Sequence, residues 1–326
     1  VYLLLLVAIT LGSGFVIHGA LSLGSALIWQ VSHKRIEQVS LKRASHYLFA
    51  LRIAPSVLTL ILAALFVVPA FLRFEPRTTG EPVPLSLALL AAIALTVLVG
   101  AFSRSATALL QSNRVMRSWM KGAEEQPSTL NGVRVYRCKL DFPVIAVLGV
   151  WRTRIFVSDG LYAVLTTEEL EVALRHEIVH VNSRDTLKKL LLHAAPKILP
   201  AIDVLGSIRE SWARVCELSA DEQAVCHNAH CTHSLASALV KVARVSNAVE
   251  MPTLSAALTN DPENFLGYRV ERLLQISTVN INNSNDRNVL AHPMSVCCGL
   301  LMLGLLAYPQ ALSLTHELLE FFVRGW

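Results

Sequence analysis

The sequence predicts an α-helical membrane protein of about four transmembrane helices, with one α+β domain inserted between the third and the fourth. Three observations predict it. Four stretches stay apolar over the roughly 20 residues needed to cross a bilayer core. Charged residues make up only 16% of the 326-residue chain and hydrophobic ones 53%, with a mean hydropathy of +0.48; a soluble domain carries about 25% charged residues. The interval 103–288 breaks this pattern, with short β-branched runs followed by amphipathic helical ones.

The first region, 1–102, holds spans at about 3–28, 53–72 and 85–102, and the last region, 289–326, opens with a fourth at about 289–312. The first run is too long for a signal peptide and lacks a basic start, so it reads as a span. His18 and His292 are the only ionisable side chains within the four, and both are expected near an interface or packed against a neighbour. Orientation follows the basic residues. The loop 29–52 carries Lys34, Arg35, Lys42, Arg43 and Arg52 against Glu37 alone, and Arg104, Arg114, Arg117 and Lys121 follow the third span. The loop 73–84 is balanced, with Arg73 and Arg77 against Glu75 and Glu81. The N-terminus is therefore expected outside and the domain 103–288 in the cytoplasm. Six cysteines without a regular spacing agree with a reducing compartment.

Within that domain a helix is expected to continue out of the third span to Met120, and 121–132 reads as a polar linker. "VRVYRCKL", "PVIAVLGV" and "RTRIFVS" read as strands, with Gly149 and Asp159–Gly160 as turns. One long helix is expected over "LTTEELEVALRHEIVHVNSRDTLKKLLLHAA", opened by a capping box of Thr166 and Glu169. Further helices are expected at 207–227 and 232–249. The apolar but Pro-broken run 190–206 reads as interfacial or re-entrant.

The long helix contains "HEIVH". His176 and His180, four residues apart, lie on one helical face and can share one Zn²⁺ per chain, while Glu177 occupies the general-base position of HExxH metalloproteases. Such a site needs a third protein ligand. Downstream, "WARVCELSADEQAV" places Glu217 and Asp221 one turn apart on a probable helix. Glu217 is assigned as that ligand, and Asp221 as the acceptor for the outer N–H of a ligand histidine.

These residues resemble the membrane metallopeptidases of the BlaR/MecR sensor type, metallopeptidase family fifty-six. The resemblance lies in "RIFVSDGL", then "EELEVALRHEIVHVNSRD", then "ELSAD", and covers about residues 140–275. It implies a zincin-like cytoplasmic metalloprotease domain, with Glu217 as zinc ligand. The implied target is a transcriptional repressor or the protein itself, cleaved in signal transduction, and the implied location the bacterial inner membrane. The HtpX/CAAX-protease group carries a similar "HExxH…ExxxD" pattern and implies quality control of membrane proteins. Three spans before the domain and one after favour the former. A third reading keeps the zinc but no catalysis, as a membrane scaffold. About fourteen residues follow the fourth span, so the external penicillin-binding sensor domain of the antibiotic sensors is not expected.

The expected partners are a peptide or protein substrate and membrane lipid, with a homodimer among the expected assemblies. No basic stripe with interleaved aromatics supports direct nucleic-acid binding. "RTRIFVS" (152–158) is the natural candidate for an edge strand that pairs with substrate, and reads equally well as an interior strand. His193 and Tyr162 are weak candidates for stabilising an oxyanion. "CHNAHCTH" (226–233) has no zinc-finger spacing and reads as a helix connection.

Overall fold

The computed structural model describes residues 1–36, 39–77, 82–126, 132–140, 142–197, 205–226, 228–245, 254–257, 265–278 and 308–324. Among the described residues, three rods are long and apolar enough to cross a membrane: Tyr2–Ile36, Leu41–Phe74 and Leu85–Met120. The first is helix α1. The second is α2 (Leu41–Leu62), a π-helical turn at Ala63–Val67, and α3 (Val68–Phe74). The third is α4. At 1.5 Å per residue the 35 and 36 residues of α1 and α4 give rods over 50 Å long, well beyond a ~30 Å hydrocarbon core. Their ends therefore stand outside it and can support a domain.

The end of α4 does so, as the sequence predicts of a helix continued to Met120. A five-stranded sheet follows, made of β1 (Glu124–Gln126), β2 (Val135–Cys138), β3 (Ile145–Leu148), β4 (Arg154–Ser158) and β5 (Ala256–Ala257), in the order β1-β2-β4-β3-β5. β2 and β4 are parallel and the other pairs antiparallel, with Val135 opposite Ile155 and Ile145 opposite Val157. Alternate side chains divide between two cores. Val135, Ile145, Val147, Ile155 and Val157 face the main core. Tyr136, Ala146, Leu148 and Phe156 face Trp119 and Met116 of α4. Burial on both faces explains why these strands read as continuous apolar runs.

The order of strands corrects one expectation. β4 lies between β2 and β3, so its backbone groups are already paired on both sides, and it cannot receive a substrate strand. Among the described residues β1 and β5 are the edges. Gly149 makes the β3–β4 turn at φ +92, where a Cβ would meet the Arg152 carbonyl oxygen at 2.6 Å. Asp159–Gly160, expected as a turn, instead opens helix α5 (Asp159–Val164), because the Ser158 hydroxyl accepts the Leu161 N–H and caps it.

The capping box of Thr166 and Glu169 is formed and starts α6 (Thr167–Asn182). Glu169 also receives Ser237 and Lys241, tying α6 to α9 (Ala229–Val245). The single long helix of the sequence reading is broken. Arg184 takes the left-handed conformation, φ 53, and a separate α7 runs from Asp185 to Ala194. Its far end reaches the spans: His18 of α1 lies 3.3 Å from the Pro196 carbonyl oxygen. The rest of 190–206 falls outside the described residues from 198 to 204.

Helix α8 (Gly206–Val225) joins membrane to domain. Its first half packs Ile208, Trp212 and Cys216 on Ala44, Leu48 and Leu51 of α2, and its end packs Ala224 and Val225 in the main core. α10 is Phe265–Thr278. The expected fourth span, 289–312, and with it His292, lies outside the described residues except for 308–312. These open α11 (Tyr308–Arg324), so most of the expected external tail is helical; Tyr308 donates to the Leu65 carbonyl in the π-turn at 2.9 Å.

Substituting Gly149→Ala forces a Cβ into the Arg152 carbonyl at a left-handed φ, at a cost on the order of 1–3 kcal/mol. Thermal unfolding of the purified protein in detergent is expected to show a lower Tm for this variant.

Candidate metal centre

The main core holds α6 through Val172, Ala173 and Ile178, which leaves the face carrying His176 and His180 turned to α8. Both rings are buried, and their centroids are 4.9 Å apart. The two Nε2 atoms approach to 3.2 Å. Glu217 of α8 closes the group: one carboxylate oxygen lies 3.5 Å from His176 Nε2 and the other 3.6 Å from His180 Nε2. The donor atoms all lie within 4.8 Å of one another, a group that could hold a metal ion. Ligands at about 2.0–2.1 Å in a tetrahedron are separated by about 3.3–3.4 Å. The 3.2 Å between the two Nε2 atoms is close to that edge length, and Glu217 turns one oxygen to each ring.

The outer nitrogens are engaged as well. His180 Nδ1 hydrogen-bonds Asp185 at 2.8 Å. His176 Nδ1 stands 3.0 Å from Asp221, an ion-pair distance at an angle short of hydrogen-bond alignment. A carboxylate on Nδ1 favours the proton there and leaves the Nε2 lone pair free for a metal. Asp185 reaches His180 only because the chain turns at Arg184. Arg269 of α10, almost wholly buried, grips Asp221 through two hydrogen bonds of 2.7 and 2.8 Å and lies 3.3 Å from Glu217. Lys188 stands 3.3 Å from Asp185.

Burial drives every titration here, and the neighbours decide its sign. Burial would raise Glu217, but the charge of His180, the close approach of both imidazoles and Arg269 hold its carboxyl well below the usual range. Burial likewise would raise Asp221, and Arg269 holds it low. Burial would lower His180, yet Glu217 and Asp185 push it up to about 10; His176 is raised through Asp221 and Glu217. Glu177 differs. It is fully buried, neither carboxylate oxygen has a hydrogen-bond partner among the described residues, and burial pushes it up to about 7. A carboxyl that titrates near neutrality suits proton transfer.

A cleft of about 670 Å³ between α7 and α8 opens onto His180 and Glu217, and His193 lines it. His176, Glu177, Asp221 and Tyr162 do not. Tyr162 lies under the Arg137 guanidinium, 4.7 Å from the ring centroid. Of the cysteine–histidine tract, Cys226 ends α8 and His230, Cys231 and His233 lie on α9; His227 is outside the described residues. Among the described residues, His176, His180 and Glu217 form the one group of three or more metal donors.

Sequence reasoning missed Asp185 and Arg269. Asp185 is five residues past His180, off the helical face, and only the break at Arg184 brings it back. Arg269 follows Glu217 by a long and varied stretch. The signal available was indirect: two acids on a buried stretch of α8 require a cation.

A paired-histidine and carboxylate group, with its carboxylate on a helix that packs directly against a candidate membrane span, is what a membrane metallopeptidase requires. The profile of the BlaR1 peptidase M56 family matches residues 76–273, more than half of the chain, and the chain belongs to that family. No curated protein sequence matches it.

Asp185→Ala removes the carboxylate behind His180 and is expected to weaken metal binding about 10–100-fold, read by competition with a fluorescent zinc chelator. Arg269→Met leaves the buried Asp221 carboxylate without its guanidinium and is expected to cost about 3–5 kcal/mol, read as a drop in Tm.

Proposed function

We propose that this chain is an integral-membrane zinc endopeptidase that cleaves peptide bonds on the cytoplasmic side, in signal-dependent processing of a repressor or of itself. The observation that carries the reading is the convergence of His176, His180 and Glu217, whose donor atoms all lie within 4.8 Å of one another, with Glu177 buried on the same helix as the two histidines. Nitrogen and carboxylate donors of this kind suit Zn²⁺.

His176, His180 and Glu217 would hold the metal. When bound it supplies Lewis acidity, polarising a peptide carbonyl and acidifying a water. Glu177, with its carboxyl near neutrality, accepts the proton of the attacking water and can return it to the leaving amine. Asp185 and Asp221 orient the two rings from behind. The cleft at His180 and Glu217 receives the chain to be cut.

The charge pattern supports the cytoplasmic placement. Lys34, Arg35, Lys42 and Arg43 flank the α1–α2 connection, and the start of α2 beside them packs on α8, which carries Glu217. The metal centre therefore sits on the positively flanked side of the spans. The inner membrane of a bacterium is the proposed location, with membrane lipid around the spans and a homodimer as a further proposal.

The test is a pair of variants of the full chain. Glu177→Gln is expected to keep about one zinc per chain and to lose cleavage by a factor of at least 100. Glu217→Ala is expected to lose both. Retained zinc and retained proteolysis in Glu217→Ala would overturn the reading.

A further inference from the structure

The registers of the helices fix the height of the metal-binding group above the lipid. α1 and α4 lie side by side and run the same way. Their starts share a cluster that holds Leu5 and Leu87, and a Cβ on Gly12 would meet Leu87 at 3.0 Å and Leu90 at 3.4 Å. From that common level α1 becomes polar at Gln30 and α4 at Ser103, the same height to within about one helical turn. α2 agrees. Its Tyr47, where the polar start of the helix gives way to apolar residues, donates to Ser32 of α1 at 3.2 Å. These residues mark one edge of the hydrocarbon layer.

Two helices carry that height to the metal ligands. α7 runs antiparallel to α4: its Leu187 and Leu190 pack against a cluster that holds Ala108, while Leu191, Ala194 and Pro196 share an apolar cavity with Val97 and Leu98. The His18 ring stands 3.3 Å from the Pro196 carbonyl oxygen, and His18 precedes Gln30 by twelve residues, about 18 Å inside the edge. The ten residues of α7 rise about 15 Å, which returns Asp185, and with it His180, to just outside the edge. α8 reaches the same height from α2. The Trp212 and Phe49 ring centroids are 6.3 Å apart, and Phe49 is two residues past Tyr47. Glu217 follows Trp212 by five residues, about 8 Å further along a helix whose end packs in the main core. The metal-binding group thus lies within about 10 Å of the hydrocarbon edge, beside a headgroup layer about 5–7 Å deep. The sheet meets the same level. Gly149 lies against Met116 of α4 and Val150 joins the cluster of Ala108, so the β3–β4 turn points down α4 toward the lipid. Trp151 at its tip is 77% exposed, and tryptophan favours the headgroup zone.

Resting on the peptidase reading above, we infer that the substrates are membrane-anchored chains, cut in the segment next to their own span. An extended chain leaving the bilayer advances about 3.3 Å per residue. A peptide bond at the height of the metal is therefore about three residues from the hydrocarbon edge, and within about six once slack is allowed. The span of an anchored substrate holds its segment at this height, which raises the local concentration at the metal without any added contact. A soluble protein has to reach the same height through the headgroups.

The test co-reconstitutes the full chain with zinc in phosphatidylcholine liposomes, together with a single-span peptide that carries one unstructured segment of mixed sequence. Cuts are mapped by mass spectrometry. Trimming the segment from its membrane end, a few residues at a time, is expected to leave the cut within about six residues of the span, at a new peptide bond each time. A Gly-Ser spacer of about 16 residues, or supply of the same segment as a soluble peptide, is expected to slow cleavage about 10-fold or more. The height itself is read without zinc from the fluorescence of Trp151, taken as the difference between wild type and Trp151→Phe. Quenching is expected from phosphatidylcholine with a nitroxide on its headgroup, and much less from one with the nitroxide near the acyl-chain end. A cut that follows one sequence through the trimmed series, or equal cleavage of the anchored and soluble segments, overturns the substrate class alone. Trp151 fluorescence untouched by the headgroup nitroxide overturns the placement on which that class rests. Absence of cleavage in every segment, with the quenching intact, counts against the peptidase reading instead.

Discussion

Two histidines one helical turn apart share a metal tightly when both rings are held from behind, and much of this structure serves that constraint. His180 is held by Asp185 and His176 by Asp221, and each carboxylate is itself held by a cation, Lys188 or Arg269. Burying carboxylates without partners is expensive. Around the centre lie Glu177, Asp185, Glu217 and Asp221, and among the described residues Lys188, Arg269 and the two histidines pair with the last three. Metal binding requires both imidazoles neutral, and a divalent cation would then replace the charge of their protons.

The scaffold serves this arrangement by fixing α6 and α8 independently. The main core clamps α6 to the sheet, and Glu169 ties its first turn to Ser237 and Lys241 of α9. α8 is clamped at both ends, on α2 through Trp212 and Ile208 and in the main core through Ala224 and Val225. Glu217 and Asp221 lie between those anchors. α7 connects the two regions directly. Asp185 at its start supports His180, and the chain just past its end meets His18 in the first span. The metal centre is thus built against the membrane rods.

Much of this was legible in the sequence because the signals were local. Hydropathy marked the three spans now described, and the four-residue spacing of His176 and His180 required a shared helical face. Thr166 and Glu169 announced their capping box. Gly149 marked its turn. What was not legible depended on long-range contact or on one unusual backbone angle. The order of strands put β4 in the interior, where pairing on both sides removes it as a substrate edge. The left-handed turn at Arg184 carried no glycine to announce it, and without that turn Asp185 could not be assigned. Arg269 reaches Asp221 across 48 residues of sequence, and no local periodicity encodes such a pairing.

The proposed zinc ion would be held by two imidazoles and a carboxylate, with ionic groups behind them. Zinc K-edge X-ray absorption on the purified full chain tests it most directly. The expected first shell holds nitrogen and oxygen only, at about 2.0–2.2 Å, with the outer-ring scattering of two imidazoles. A sulfur shell at about 2.3 Å, or the scattering of fewer than two imidazoles, would contradict it.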